Sequence, residues 1–262
     1  MSKVFKELGN KAQRGSKPRC HLLTHGSPEE VAARLTALAA PFATVRTTDQ
    51  WMPRGFADCA EAELDKADRL LDAARRAALA AWWLPAGREG ARTPNFDVAS
   101  TCTIDGHPGL LLIEAKAHDR ELTKEAAGRV LPADATDERR ASHPTIGAAI
   151  ESARVGFTAA TGETWRISRD SRYQLSNRFA WSWKLTDLGV PVVLVYLGFL
   201  EAAEMADKGS PLAAAYAWTD LVLDHSRNIV PANAWERSWS VNGVTFAPLI
   251  RSLLQPLEQA AS

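Results

Sequence analysis

The chain is poor in the features that mark several large classes of protein. Its three cysteines, Cys20, Cys59 and Cys102, lie far apart with no CxxC spacing. That excludes a disulfide framework and fits reduced thiols in a cytosolic setting. No apolar run approaches the ~20 residues a membrane-spanning helix needs. The opening stretch MSKVFKELGNKAQRGSKPRC has no apolar segment of the kind a secretory signal carries. A cytoplasmic protein without a membrane segment is the expectation. Charge of one sign is missing too: 31 basic and 31 acidic residues cancel, so attraction to nucleic acid has to come from a local patch. There is no GxxxxGK loop, no GxSxG elbow and no GxGxxG turn, which counts against nucleotide hydrolysis, serine hydrolysis and dinucleotide binding.

What is present has the balance of an ordinary globular chain, 46% hydrophobic and 24% charged over 262 residues, enough to bury one large core. Residues 1–50 read as a basic N-terminal arm and a short helix. Within residues 1–20, Lys3, Lys6, Lys11, Arg14, Lys17 and Arg19 stand against Glu7 alone. Such an arm can touch phosphates, and a solvated terminus is the plainer reading. In SPEEVAARLTALAAPF, Ser27 is placed as N-cap, Pro28 as first helical residue and Glu30 as capping-box partner.

Residues 51–262 read as one α/β domain. Leu64, Ala67, Leu71, Ala74, Ala78 and Ala81 recur at helical spacing, predicting a helix over about 57–83. NFDVASTCTI and LLLIEAKA read as strands joined by the turn signal DGHPG. The charged stretch 119–142 reads as an exposed insertion. Helices are expected up to Gly162 and over about 171–188, the latter closed by Gly189. VPVVLVYLGFL is β-branched and wholly apolar, a fully buried strand. A further helix is expected within SPLAAAYAWTDLVLDHSRNI, and a hairpin across SVNGVTF turning at Asn242-Gly243.

The first hairpin carries the chemistry. If Asp105-Gly106 is a two-residue turn, Ile104 faces His107. Counting back along both strands then sets Asp97 opposite Glu114, with Lys116 on the same face. Opposed carboxylates with Cβ atoms ~5 Å apart repel unless a cation lies between them. A four-residue turn keeps all three on one face with Asp97 offset diagonally, and a three-residue turn puts Asp97 on the other face. Two carboxylates suit a hard divalent ion, and a lysine beside them can stabilise a phosphate or orient water. That set suffices for metal-assisted phosphodiester hydrolysis. A strand-end ion pair is the plainer alternative.

These residues resemble the PD-(D/E)xK restriction-endonuclease-like superfamily of nucleases. The resemblance implies an α/β core of helix, antiparallel β-meander, helix and buried strand, here with helical insertions, and covers about half the chain. It implies that Asp97 is the first motif acid and that Glu114 and Lys116 are the E-x-K pair. It further implies Mg²⁺ or Mn²⁺ held by Asp97, Glu114 and the Ala115 backbone carbonyl. A glutamate on the first helix would be Glu63 or Glu61, and a polar residue on the second would be Gln174. One exonuclease branch has a tyrosine four residues after that glutamine, where this chain has Arg178. DNA is the implied partner, and a homodimer would suit a double-strand cut. A fold that keeps nucleic-acid binding or another interaction without cleavage is the competing class.

The segment TWRISRDSRYQLSNRFAWSWKL interleaves arginines with aromatics, as a phosphate-tracking, base-stacking surface does. Arg169, Arg172 and Arg178 are the candidate nucleic-acid contacts. Leu175, Phe179 and Trp183 form a core stripe, with Gln174, Arg178 and Trp181 on the stripe beside it. His118 falls on the Lys116 face if the strand continues. Cys20, His21 and His25 lack a fourth ligand at zinc spacing.

Overall fold

A computed structural model describes residues 14–84, 93–123 and 126–257. The distal half of the basic arm, with Lys3, Lys6, Glu7 and Lys11, lies outside them. The elements in chain order are α1 (Ser16–Leu23), α2 (Pro28–Ala39), β1 (Trp51–Met52), β2 (Ala62–Glu63), α3 (Ala73–Trp83), β3 (Asn95–Phe96), β4 (Val98–Ile104) and β5 (His107–Lys116). They continue with α4 (Arg120–Thr123), α5 (Asp137–Thr161), α6 (Tyr173–Asp187), β6 (Val192–Leu200), α7 (Ala215–Ser226), β7 (Trp239–Val241) and β8 (Val244–Leu254).

Six strands form one mixed sheet in the order β1-β4-β5-β6-β8-β7. Its first three strands are an antiparallel meander. β6 then runs parallel to β5 and β8 parallel to β6, with β7 antiparallel on the edge. β2 and β3 make a separate two-stranded ribbon.

Side-chain alternation in the central strands divides the core in two. Leu111, Ile113, Val193, Val195 and Leu197 face α1 and α2, with Leu23, Val31 and Leu35 packed against them. Leu110, Leu112, Leu194 and Tyr196 face the opposite layer, where Leu79, Ile150, Phe179 and Trp218 come from α3, α5, α6 and α7. A strand buried on both faces must be apolar at every position, and β6 is. Residues 14–50 therefore share the sheet's core with the rest of the chain.

Local chemistry explains most of the boundaries. Ser27 and Glu30 close the expected capping box at the start of α2. Gly162, with φ 71°, ends α5, and Gly189, with φ 77°, follows α6. Both hairpins turn on two residues of positive φ, Asp105-Gly106 (49° and 81°) and Asn242-Gly243 (55° and 79°), the backbone that two-residue turns require.

Two expectations are corrected. The helix over 57–83 is not continuous: β2 and a run of turns precede α3, whose N-terminus is set where the Asp72 carboxylate accepts the Arg75 N–H at 2.8 Å. Leu64, Ala67 and Leu71 are buried as the periodicity demands, but packed turns meet that demand without a helix. The stretch 119–142 is not wholly a loop, because α4 lies in it and α5 begins at Asp137, behind a Thr136 cap. The meander's first strand, for which the sequence gives no signal, is the two-residue β1.

Candidate active site

Strands β4 and β5 pair Ile104 with His107 and, at the far end, Val98 with Ile113. One step further, Asp97 stands at the bend between β3 and β4, opposite Glu114. The geometry is that of the two-residue turn. Asp97 Oδ2 accepts the Ala115 N–H at 2.7 Å, which fixes the acid to the neighbouring strand.

Glu114 is buried in the layer beneath α6, only 1% exposed. Three side chains fill its oxygens. Lys116 Nζ donates to Oε1 at 2.5 Å, Gln174 Nε2 to Oε1 at 2.5 Å, and Arg178 Nε to Oε2 at 2.5 Å. Lys116 Nζ also donates to Gln174 Oε1 at 3.2 Å. Gln174 and Arg178 are four apart, one turn along α6, so both reach the same carboxylate. Arg178 is further held by Asn177 Oδ1 at 2.8 Å and lies 4.7 Å over the Phe96 ring.

The two acids titrate in opposite directions. Burial acts to raise the Glu114 pKa, but Arg178 and Lys116 outweigh it and hold the carboxyl below its usual range. Asp97 is pushed up to about 7, first by burial and then by the charge of Glu114, against the pull of Lys116. Asp97 is nonetheless partly exposed, and its Oδ1 takes no hydrogen bond among the described residues. It is the acid that solvent reaches. Below the pair, the Cys20 thiol is driven up by burial and then by Asp97 and Glu114.

The structure thus brings together Asp97, Glu114, Lys116, Gln174 and Arg178. Ala115 lies between Glu114 and Lys116 on β5, with its N–H bound to Asp97. Glu63 is elsewhere: it sits on β2, not on a helix, and pairs with Lys66 at 2.5 Å. Glu61 accepts from Asn95 at 3.3 Å and from Lys17 at 3.0 Å. Arg169 is bound to Asp170 and to the His143 carbonyl. Arg172, at φ 43° before α6, has a buried Nε with no hydrogen-bond partner among the described residues. Its charge and that of Lys116 add to burial in lowering His225 to about 4. Arg178 is 5% exposed and engaged with Glu114, so it does not present itself to a nucleic-acid backbone. Trp181 is fully buried and packs against Trp82 and Trp83, so it belongs to the core. His118 is buried, with Nε2 3.9 Å from Glu121.

Phe96 and His225 went unnoticed in the sequence. A ring next to Asp97 was the available signal for Phe96, and nothing in the local pattern singles out His225. Among the described residues, no three His, Cys, Asp or Glu side chains converge to hold a metal ion. The oxygen donors that do converge, two carboxylates and the carbonyl expected from Ala115, are of the hard type that Mg²⁺ and Mn²⁺ take with water. Asp97 Oδ1 is the open oxygen of that set; both Glu114 oxygens accept from Lys116, Gln174 and Arg178, so an ion there has to displace one of those donors. No helix among the described residues is long and apolar enough to cross a membrane.

Comparison with family models, with curated proteins and with solved structures finds no match to this chain.

Proposed function

We propose that the chain is a metal-dependent nuclease that hydrolyses phosphodiester bonds, in DNA rather than RNA, on a restriction-endonuclease-like core. The observation that carries the reading is the placement of Asp97, Glu114 and Lys116 on one face, where β4 begins and β5 ends. The antiparallel meander, the intervening α6 and the parallel β6 also follow the order that the resemblance implies. Preference for DNA rests on that resemblance.

A Mg²⁺ or Mn²⁺ ion would be held by Asp97, the Ala115 carbonyl and Glu114, which would exchange one of its three donors for the ion, and would polarise the phosphate and its attacking water. The protein's own groups do the rest. Lys116, held by Glu114 and Gln174, keeps a positive charge where negative charge develops on the phosphate oxygens. Gln174 orients both members of that pair. Arg172, the residue that caps α6 two positions before Gln174, adds positive charge for the approaching backbone.

The test is cleavage of linear, circular and single-stranded DNA with Mg²⁺ or Mn²⁺, beside Lys116→Met. Metal-dependent cutting by the wild type, reduced about 100-fold or more in a folded variant, fits loss of a transition-state charge contact. A second reading is a nucleic-acid-binding or interaction protein that has lost cleavage. It draws on the saturation of Glu114 by three donors. DNA retention without cutting under every metal condition would favour it.

A further inference from the structure

Glu114 is held by Arg178, and Arg178 needs holding in its turn. A guanidinium on a long stem has several rotors, and ordering it inside a cluster costs conformational entropy. Two of its nitrogens have fixed acceptors: Nε donates to Glu114 Oε2 at 2.5 Å and Nη1 to Asn177 Oδ1 at 2.8 Å. Asn177 is itself buried. An amide that turns its oxygen to Arg178 turns its nitrogen the other way. There it reaches the hydroxyl of Tyr173, one turn back on α6. The same hydroxyl accepts from Arg129 Nη1 at 3.1 Å, and the Arg129 guanidinium lies 5.3 Å over the Tyr173 ring. Backbone contacts place Arg129. Its N–H donates to the Arg169 carbonyl at 2.8 Å, and its carbonyl accepts from His143 Nε2 at 2.7 Å. Beside it, Ala127 pairs with Ser171, and a Cβ on Gly128 would meet the Asp170 carbonyl carbon at 2.2 Å. Two rows therefore run along α6. Gln174 and Arg178 reach Glu114, and Tyr173 and Asn177, each one residue earlier, stand behind them.

We propose, resting on the nuclease reading, that Tyr173 and Asn177 are positioning residues: they lock the Arg178 guanidinium, and through it Glu114 and Lys116, in the arrangement the reaction uses. Arg129 anchors the row to the chain before α5. These residues act through Arg178 and Glu114 rather than on the substrate. Without Asn177 Oδ1, the Nη1 donor is left buried and short of that acceptor, and the guanidinium turns to find another. Glu114 Oε2 then loses a fixed partner. Lys116 follows, because its Nζ donates to Glu114 Oε1 at 2.5 Å. A shift of about 1 Å in a group that meets the reacting phosphate is enough to slow the chemistry.

The test reads Arg178 directly, as the rate at which its Nε–H exchanges with water. Nuclear magnetic resonance of the isotope-labelled whole chain, without metal or DNA, gives that rate, the signal being the one lost in Arg178→Lys. The same proteins are then assayed for DNA cleavage with Mg²⁺. Tyr173→Phe removes only the hydroxyl, Asn177→Leu removes the acceptor, and Asn177→Asp keeps an oxygen for Nη1. The expected exchange is about tenfold faster in Asn177→Leu, faster by a smaller factor in Tyr173→Phe and close to wild type in Asn177→Asp. Cleavage follows the same order, with kcat about 10- to 100-fold lower in Asn177→Leu and KM for DNA unchanged. Tyr173→Phe carries the test if Asn177→Leu does not fold. Exchange at the wild-type rate in Tyr173→Phe and Asn177→Leu overturns the proposal. So does equal loss in Asn177→Leu and Asn177→Asp, or faster exchange with kcat unchanged. Exchange in the expected order from proteins none of which cuts DNA keeps the lock on Arg178 and removes the nuclease reading, so the two failures are told apart.

Discussion

Asp97 and Glu114 are neighbours across a strand pair, yet their protonation is governed by different surroundings. Glu114 has two cations in contact and Asp97 has a single backbone N–H. The consequence for stability has a definite sign. The Asp97 pKa is raised from 3.8 to about 7 on folding, so between those values the folded state holds the extra proton. Its contribution is fully present below pH 3.8 and is lost as pH rises through 7. Asp97→Asn, measured in a chelator, should therefore gain stability on wild type between pH 5 and pH 8, by ~1–3 kcal/mol given its partial exposure. Urea unfolding at the two pH values reads this, and a constant difference would contradict it. Glu114 behaves in reverse, because its depressed pKa gives stability that is lost as pH falls below 4.5. Lys116→Met leaves that buried carboxylate with one cation fewer, and unfolding should be easier by roughly 2–4 kcal/mol. A variant as stable as wild type would show that the Lys116–Glu114 contact contributes little.

At the scale of elements, the site depends on register. Asp105-Gly106 sets the pairing of β4 with β5, and one added residue there would carry Asp97 to the other face. Gly106 adopts φ 81° in open space, so Gly106→Ala meets backbone strain alone. It should cost about 1 kcal/mol in chemical unfolding without changing Mn²⁺ binding; a loss of binding would mean that the turn does more than set the register. The hairpin was legible because turn, alternation and charge all agree between Asn95 and Lys116. The α6 stripe was legible as a period, but not its rotation. Arg178 looked like a surface contact because arginine is seldom buried, and only the packing of Leu175 and Phe179 into the sheet turns it towards Glu114. The helix expected over 57–83 failed for a related reason: burial of Leu64, Ala67 and Leu71 leaves the same apolar period whether the chain coils or turns. β1 is two residues long, too short for any periodic signal.

For the whole molecule, the layer of α1 and α2 matters because it seals the underside of the acid pair. Arg19, 2% exposed, bonds Glu204 and the carbonyls of Gly15 and Gln255, tying α1 to the turn after β6 and to the chain beyond β8. Cys20, next in sequence, lies buried beneath Asp97 and Glu114. Arg19→Ala should lower stability by roughly 2–4 kcal/mol through the unpaired partners it leaves. It should also open Cys20 to a thiol reagent, and a Cys20 labelling rate equal to that of wild type would show that α1 stays in place without the clamp. The central place of β6 and the presence of two core layers follow from its being apolar on both faces. The crossing that sets β6 between β5 and β8 was not legible, since pairing distant strands depends on the packing of the helices between them.

The measurement that tests the account most directly is DNA cleavage as a function of Mg²⁺ concentration for wild type and Asp97→Asn side by side. Asp97→Asn removes the open carboxylate while keeping its shape and, by the sign of its titration, the stability of the fold at neutral pH. The account predicts saturable, Mg²⁺-dependent cutting by the wild type and its loss in the variant. Equal cutting by the two proteins, or none by a folded wild type on linear, circular or single-stranded DNA, would contradict it.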